Sequence, residues 1–528
     1  MLCYNGISIS FRVKLVQNVR RCLRCDKEVI IMNKNYDVII AGCGAAGLYA
    51  ALNLSSNLKV LVLSKRELTL CNSSLAQGGI AGVYDNPKDS PEYHKHDTFV
   101  AGGYENDPQS TQVLVDEACI DIGRLIELGA DFDKCPDGSY HRTLEGGHGM
   151  NRIFHHADTT GLEIETTLLR NVQQLANVDI LENAVMCDVK KTKTGFSVLV
   201  LDENGAYSTY NGRYAIFATG GIGRVYEYTT NSAIATGDGI TMAYELGAEI
   251  KNLSYIQFHP TGFNNKHTRE TFLISESVRG EGAFLKNCNG ERFMQNYDER
   301  LELAPRDVVS HAIMAEAKKT GSDKFYLDIT AQDPEFVKNR FPMINEKLLE
   351  AGYDMTKDMI PIFPCHHYLM GGINVDTYAR TNIDKLYACG ECSHTGVHGN
   401  NRLASNSLLE ALVFSRRAAG DINEKIKGEN GELEQYDFVI DENAPHIPTG
   451  IRTEIRDIMQ RAYFVIPDEE ALPPDLKRVS ELKDLLCNGH YKIDRDYVEA
   501  KSLVTVAYIV LTDAIAKLEA KKNKSEEK

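Results

Sequence analysis

One short stretch constrains the fold more than any other part of the chain. From Tyr36 to Ala51 the sequence reads YDVIIAGCGAAGLYAA, in which an apolar run precedes Gly42, Gly44 and Gly47 and a helix-like run follows. In this G-x-G-x-x-G spacing, the glycines allow a tight turn, close approach of backbone to a pyrophosphate, and close packing of strand and helix. The helix N-terminus then presents unpaired N–H groups to phosphates. The stretch predicts a Rossmann-like dinucleotide site rather than an ordinary glycine-rich turn.

The end of the next predicted strand leaves the choice of dinucleotide open. Lys59–Leu63 reads KVLVL and is followed by Ser64 and Lys65. Many dinucleotide sites carry Asp or Glu here, where the carboxylate holds a ribose. Because this chain has Ser64 and Lys65 instead, the pattern argues against a simple NAD dehydrogenase.

Composition excludes several classes of protein. The 528 residues include 58 Lys and Arg against 74 Asp and Glu, a net charge of −16, which argues against a broad basic face for nucleic acid. No apolar run approaches the ~20 residues that span a membrane, so we expect no membrane segment. The 13 cysteines are scattered and odd in number, which favours a reducing, cytoplasmic setting over a disulfide framework.

Two further features of the sequence are its C-x-x-C pairs and its first 32 residues. The C-x-x-C pairs Cys22/Cys25 and Cys389/Cys392 lack a second pair at zinc-site spacing, so no metal site is predicted. Residues 1–32 are mildly basic without a continuous apolar core, unlike a secretory signal. We expect them to form a poorly ordered leader, with Met32 as an alternative start.

The pattern of predicted elements along the chain changes twice. Residues 33–252 show repeated strand–glycine–helix patterns, and residues 253–368 carry polar motifs instead. The strand–glycine–helix pattern returns over residues 369–437. A strongly apolar helix is expected near Ser405, then a polar linker over Asp421–Gln435, and residues 438–528 have helical periodicity. The pattern predicts an α/β dinucleotide-binding domain in two parts, an inserted second domain and a C-terminal helical bundle.

Several separated motifs together resemble one superfamily. GCGAAG, AQGG, ATGG, QFHPT, LAPRD, HYLMGG and NRLASNSLLEAL occur in this order between about Tyr36 and Gly420. They resemble the fumarate reductase and succinate dehydrogenase flavoprotein superfamily, and within it the L-aspartate oxidases most closely. The resemblance implies a Rossmann-like FAD-binding domain with an inserted α+β capping domain.

The resemblance also implies an FAD site. Respiratory members link the flavin to a histidine at the place of Asn72 or its neighbour, and asparagine cannot form that bond, so the FAD should be noncovalent. The implied cofactor-binding residues are Gly42, Cys43, Gly44, Ala45, Ala46, Gly47, Lys65, Asn72, Ser73, Ser74, Leu75, Ala76, Gln77, Gly78, Gly79, Val185, Met186, Asp238, Glu391, Ser407 and Leu408.

The implied substrate site suits a dicarboxylate. Arginine binds a carboxylate through a planar bidentate fork, and histidine can donate to carboxylate oxygens. The resemblance makes Arg306 the catalytic proton shuttle and assigns substrate binding to Glu145, His259, Thr261, His367 and Arg402. The carboxylate of Glu145 suits an ammonium group, and aspartate oxidases differ from fumarate reductases at this position.

The implied activity is FAD-dependent oxidation of L-aspartate to iminoaspartate, with oxygen or fumarate reoxidising the flavin. The family relation places this reaction first in de novo NAD biosynthesis, with a transient hand-off to a quinolinate-forming enzyme. The alternatives are a soluble fumarate reductase and a succinate dehydrogenase-type flavoprotein subunit that docks an iron–sulfur partner. Glu145 and Asn72 argue against both alternatives.

Overall fold

The computed structural model describes residues 34–265 and 270–526. The predicted leader over residues 1–32 and the Cys22/Cys25 pair lie outside the described residues. Tyr36–Lys528 form one compact unit, so the boundaries predicted for separate domains remain predictions.

The described residues form both helices and strands throughout this unit. The helices are α1 (Ala45–Asn53), α2 (Pro91–Ala101), α3 (Pro108–Glu127), α4 (Thr160–Val172), α5 (Asp238–Glu245), α6 (Glu276–Gly280), α7 (Arg306–Thr320), α8 (Pro334–Arg340), α9 (Pro342–Glu350), α10 (Asn406–Lys425), α11 (Ile451–Ala462), α12 (Leu472–Asn488) and α13 (Arg495–Glu526). The strands are β1 (Asn35–Ala41), β2 (Val60–Leu63), β3 (Ile80–Ala81), β4 (Arg142–Thr143), β5 (Ile153–Phe154), β6 (Val178–Leu181), β7 (Val185–Lys191), β8 (Phe196–Leu201), β9 (Tyr207–Phe217), β10 (Ile250–Lys251), β11 (Ile256–Phe263), β12 (Phe284–Lys286), β13 (Phe325–Asp328), β14 (Ile360–Leu369), β15 (Gly372–Asn374), β16 (Leu386–Ala388) and β17 (Ser393–His394).

The largest sheet of the described residues has the strand order β6-β2-β1-β9-β8-β7, with β16 beside β9. Strands β6, β2 and β1 are parallel, and so are β9 and β16, whereas β7, β8 and β9 form an antiparallel meander. Strand β2 reads VLVL and is buried along its whole length. This is typical of a parallel strand whose two faces are both covered.

Alternate residues of β1 and β2 face two different cores. Val38 and Val60 share a core with α1, α3, α4 and α10. Ile39 and Leu61 share the other core with the β7–β9 meander and the helices α11, α12 and α13. Because side chains alternate between the faces of a sheet, the main sheet lies between these two layers, and the C-terminal helices are part of its packing.

A second sheet lies within the chain span predicted as an insertion. It is antiparallel with the order β11-β14-β13-β12, and it packs with α7, α8 and α9 around a separate apolar core. The α/β class and the helical C-terminal region are confirmed. No helix in the described ranges is long and apolar enough to cross a membrane.

The linker predicted over Asp421–Gln435 is wrong at its start, because α10 continues to Lys425. Asp421 accepts hydrogen bonds from Arg380 Nε at 2.7 Å and from the Tyr387 hydroxyl at 2.6 Å. These partners hold the last turns of the helix, and they lie more than thirty residues away, where local periodicity cannot detect them.

Candidate active site

A cavity of about 590 Å³ lies at the carboxyl edge of the main sheet. The residues that follow four parallel strands line it: Gly42 after β1, Ser64 after β2, Ala218 after β9 and Cys389 after β16. In open α/β sheets this edge is the usual place for a ligand. Every predicted site residue lines the cavity except Gly47, Val185 and Thr261.

The glycine fingerprint shapes one end of the cavity. Gly42 has a φ of +113°, and a Cβ there would lie 2.0 Å from the carbonyl oxygen of Ala218. A Cβ at Gly47 would lie 2.0 Å from the carbonyl oxygen of Gly42, so Gly47 packs helix α1 against the turn instead of lining the wall. Helix α1 begins after Gly44 without a side-chain cap from that residue. Ser73 Oγ accepts from the backbone N–H of Ala45 at 3.1 Å, and the next N–H groups of the helix N-terminus can receive a pyrophosphate.

Three oxygen atoms hold the ammonium group of Lys65 at the cavity wall. Its Nζ atom bonds Thr236 Oγ1 at 2.7 Å, Asp238 Oδ2 at 2.8 Å and Glu499 Oε1 at 3.0 Å. These three acceptors match the three hydrogens of an ammonium group. Lys65 therefore fixes Asp238 at the cavity wall, and Glu499 on α13 ties the C-terminal helices to that wall. Neither contact follows from sequence spacing.

Asn72 and Glu391 meet farther along the wall. Asn72 Nδ2 donates to Glu391 Oε2 at 3.3 Å, and Asn72 Oδ1 accepts from the backbone N–H of Ser232 at 2.9 Å. Glu391 Oε1 accepts from the backbone N–H of Leu369 at 3.1 Å. Burial raises the pKa of Glu391 to about 7. The noncovalent attachment of FAD inferred from Asn72 remains a prediction.

Two arginines distant in sequence meet at the other end of the cavity. Gln257 Oε1 accepts from Arg306 Nη1 at 2.9 Å and from Arg402 Nη2 at 3.3 Å. The Arg402 guanidinium also lies 4.5 Å from the ring centre of Tyr368. Burial and the positive charge of Arg306 lower the pKa of Arg402 to about 10. This pair of positive charges suits a ligand with two carboxylates.

Both predicted histidines lie beside this pair in neutral form. His367 Nε2 accepts from Arg402 Nη2 at 3.2 Å, and its Nδ1 bonds Thr230 Oγ1 at 2.8 Å. His259 Nδ1 accepts from the backbone N–H of Thr261 at 3.3 Å, and its Nε2 is buried without a protein partner. Burial, with the charge of Arg306, places both histidine pKa values well below the ordinary value. His259 therefore keeps one N–H free for a ligand.

Thr261 and Val185 are placed behind the wall. The Thr261 hydroxyl bonds the carbonyl oxygen of Ile274 at 2.8 Å, and Thr261 is fully buried. Its backbone N–H donates to His259 Nδ1 at 3.3 Å, so Thr261 orients His259 from behind the cavity wall. Val185 is buried at the start of β7, while its neighbour Met186 lines the cavity.

Glu145 lines the same cavity as Arg306 and Arg402. Its Oε2 accepts from the Ser405 hydroxyl at 2.5 Å, and Ser405 has a left-handed backbone with φ of 61° just before α10. Burial raises the pKa of Glu145, although the bond from Ser405 opposes this shift. The second oxygen, Oε1, lies against Gly78, where a Cβ would come within 2.3 Å. A negative group thus lies in the same cavity as two positive ones.

Sequence reasoning missed the role of Glu276 as a buried partner of two arginines. Glu276 Oε2 accepts from Arg306 Nε at 2.7 Å, and Oε1 accepts from Arg279 Nη2 at 3.0 Å. Burial alone would raise the pKa of Glu276, but Arg306 and Arg279 outweigh it and lower the pKa. The only signal in the sequence was the i,i+3 pair within SESVRGEG.

The cavity fits a large polar ligand such as FAD. Among the described residues, buried polar atoms without protein partners include Gln77 Oε1, Asn231 Oδ1, His259 Nε2 and Arg402 Nε, and all four residues line this cavity. Because unpaired buried polar groups are costly, their convergence indicates that a ligand supplies their partners.

Comparisons with known proteins agree with this geometry. Residues 37–408 match the model of the FAD binding domain family. L-aspartate oxidase from Clostridium perfringens is 48% identical over 75% of this chain and 88% of that protein. L-aspartate oxidase from Acinetobacter baylyi is 38% identical over 92% of each. The structure of E. coli quinol fumarate reductase FrdA superposes with a TM-score of 0.83 at 28% identity, covering 91% of this chain and 89% of that one.

The fold and site define an FAD-binding flavoprotein related in structure to fumarate reductase. FAD is its cofactor. The chain belongs to the L-aspartate oxidase family.

Proposed function

We propose that the protein oxidises L-aspartate to iminoaspartate, the first step of de novo NAD biosynthesis. When bound, FAD supplies the acceptor for the hydride that leaves the substrate Cα once the ammonium group has lost a proton to solvent, and oxygen or fumarate takes up the electrons. The observation that carries the proposal is the meeting of Arg306, Arg402 and Glu145 in one cavity with the dinucleotide cradle. Two guanidinium groups and one carboxylate complement the two carboxylates and the ammonium group of L-aspartate.

Each polar side chain then has a distinct task. Arg402 and His259 hold the substrate carboxylates, because a guanidinium fork and a free imidazole N–H donate to oxygen. His367 contributes to substrate binding by orienting Arg402, whose Nη2 donates to His367 Nε2. Glu145 holds the amino group through Oε1, since Ser405 occupies Oε2. These contacts fix the substrate orientation and thereby lower the entropic part of the barrier.

Arg306 manages proton transfer together with Glu276. Arginine has a pKa above about 12, so it can give up a proton only when a partner replaces it at once. Glu276 Oε2 lies 2.7 Å from Arg306 Nε, and Arg279 bonds the other oxygen of the same carboxylate. In the fumarate direction, Arg306 delivers a proton to the substrate, and a proton that enters from solvent through the Glu276 carboxylate restores the guanidinium.

We further propose that the second sheet with helices α7, α8 and α9 acts as an α+β cap over the flavin. Arg306 begins α7, and His259 and His367 lie on β11 and β14. Arg402 and Glu145 come from loops outside this second sheet. Because Gln257 on β11 accepts from both Arg306 and Arg402, a cap in this position would hold the site together and exclude water.

The remaining inferences follow the family relation. Asn72 supports noncovalent FAD, because its amide lacks the nucleophilic nitrogen that a histidine would offer. A reducing cytoplasmic location is supported by the free state of all ten cysteines among the described residues. Iminoaspartate would pass to a quinolinate-forming enzyme in a transient hand-off.

One experiment separates this function from that of a fumarate reductase, which the structural similarity to FrdA makes the second candidate. The oxidised holoenzyme is mixed anaerobically with L-aspartate or with succinate, and bleaching of the flavin is recorded. We expect L-aspartate to bleach the flavin and succinate not to. Bleaching by succinate alone would overturn the proposal. Flavin that stays on the protein after acid precipitation would overturn noncovalent attachment.

A further inference from the structure

The amide of Gln257 must have one particular orientation for the arginine pair to form. Gln257 is 2% exposed, and its Oε1 accepts from both Arg306 and Arg402. Rotating the amide by half a turn would bring its NH₂ group against two guanidinium groups, all of them donors. Two like charges would then lose their shared acceptor, which is costly because both arginines are buried.

Asn401 and the backbone carbonyl of Arg402 determine the orientation of the Gln257 amide. Gln257 Nε2 donates to Asn401 Oδ1 at 2.7 Å and to the carbonyl oxygen of Arg402 at 2.8 Å. Asn401 Nδ2 in turn donates to Asp307 Oδ1 at 2.9 Å. A carboxylate can only accept, so Asp307 requires the NH₂ of Asn401 to face it. The oxygen of Asn401 then faces Gln257, and the oxygen of Gln257 faces the arginines.

We propose that Asp307, Asn401 and Gln257 form a polarity relay that positions Arg306 and Arg402 for the diacid. These three are positioning residues, since they act through the arginines. The inference deepens the proposed function and rests on it for the nature of the ligand.

The relay can be tested at its outer end without altering the substrate cavity. Asp307 is exposed at the start of α7 and lines a separate crevice of about 130 Å³ together with Asn401. It does not line the main cavity. The variants Asp307→Leu and Asp307→Asn differ in one property that matters here: asparagine keeps an acceptor oxygen for Asn401, whereas leucine has none.

The control for a lost charge at a helix start is Asp333→Asn. Asp333 is an exposed residue that accepts from the backbone N–H of Phe336 at the start of α8. It has no link to the arginines. The inner variant is Gln257→Leu, which removes the shared acceptor itself.

The probe is fumarate, titrated into the oxidised holoenzyme and followed by the change in flavin absorbance. Oxidised flavin has no electrons for fumarate, so the titration measures binding alone. The absorbance change is normalised to the amount of bound flavin. We expect the Kd for fumarate to rise roughly tenfold or more in Gln257→Leu, because two hydrogen bonds to charged groups are lost. It should rise about threefold or more in Asp307→Leu and stay within about twofold in Asp307→Asn and Asp333→Asn.

Unchanged fumarate binding in Asp307→Leu would overturn the relay. Equal losses in Asp307→Leu and Asp307→Asn would also overturn it, because the charge and not the acceptor would then matter. If Gln257→Leu does not retain FAD, the Asp307 pair still decides the question. Bleaching of the wild-type flavin by L-aspartate tests the proposed function separately. If the fumarate titrations give the predicted Kd values but L-aspartate does not bleach the flavin, the amine oxidation is rejected and the relay stands.

Discussion

Replacing Glu145 with glutamine should separate L-aspartate from diacids that carry no amine. Glutamine has the same shape and can still accept from the Ser405 hydroxyl, which lies 2.5 Å from Glu145 Oε2. It lacks the negative charge that faces the substrate ammonium group. The variant therefore removes one electrostatic contact and leaves the arginine pair in place.

The size of the effect follows from the burial of Glu145, which is 6% exposed. Two opposite charges about 4 Å apart attract by roughly 4 kcal/mol at an effective dielectric constant near 20. Removing both charges from water offsets part of this, and a hydrogen bond to a charged group contributes about 1.5–3 kcal/mol net. We expect kcat/KM for L-aspartate to fall by about 10- to 150-fold, while fumarate binds at least as tightly as before.

The assay is anaerobic bleaching of the flavin over a range of L-aspartate concentrations, with fumarate titration of the oxidised enzyme alongside it. Glu281→Gln is a matched control, since Glu281 pairs with Arg340 at 3.3 Å and does not line the cavity. Burial raises the pKa of Glu145, so the wild-type affinity for L-aspartate should fall as pH drops through that raised pKa. The affinity of the Glu145→Gln variant for L-aspartate should not show this fall with pH. Wild-type kinetics with L-aspartate in Glu145→Gln would refute the assigned contact.

Three further outcomes follow from the geometry. Gly42→Ala should abolish FAD retention, because its Cβ would lie 2.0 Å from a carbonyl oxygen; flavin content after gel filtration measures this, and full occupancy would contradict it. Tyr368→Leu should weaken fumarate binding about three- to tenfold by removing the ring stacked on Arg402, whereas Tyr368→Phe keeps the ring and most of the affinity; equal affinities for both variants and wild type would count against the stacking. Burial raises the pKa of Glu165 to about 8, so the folded state binds a proton that the unfolded state has already lost, and stability should fall as pH rises from about 4.5 to 8, by up to about 1.4 kcal/mol per pH unit. The stability of Glu165→Gln, measured by thermal unfolding, should depend less on pH over that range than the stability of the wild type. The same pH dependence in both proteins would contradict the raised pKa of Glu165.

Local patterns predicted the parts of the molecule in which sequence neighbours are also spatial neighbours. The glycine spacing after β1 predicted a turn that the structure shows at Gly42, where added atoms would collide with Ala218. The apolar run before Gly42 predicted a buried parallel strand, and β1 pairs in parallel with β2 and is buried along its last four residues. Both features depend on a few adjacent residues, and their physical causes act over the same short range.

The contacts that complete the site could not be predicted from spacing. Lys65 meets Glu499 on the last helix, and Gln257 bridges two arginines that are almost one hundred residues apart. Resemblance to a family pointed to the arginines, but not to the shared acceptor between them. Thr261 shows the opposite case, because the QFHPT motif placed it beside His259 without showing that it lies behind the wall.

The most direct test of the account is the rate at which L-aspartate bleaches the bound flavin when Arg306 or Arg402 is replaced by lysine. Lysine keeps the charge but loses the bidentate fork, and Arg417→Lys, on the outer part of α10 beside Glu117, is the matched control. The account predicts a fall of roughly 100-fold or more in each of the first two variants, corresponding to about 3 kcal/mol, and a wild-type rate in the control. A wild-type rate in Arg306→Lys or Arg402→Lys would contradict the claim that these two guanidinium groups bind and orient the substrate.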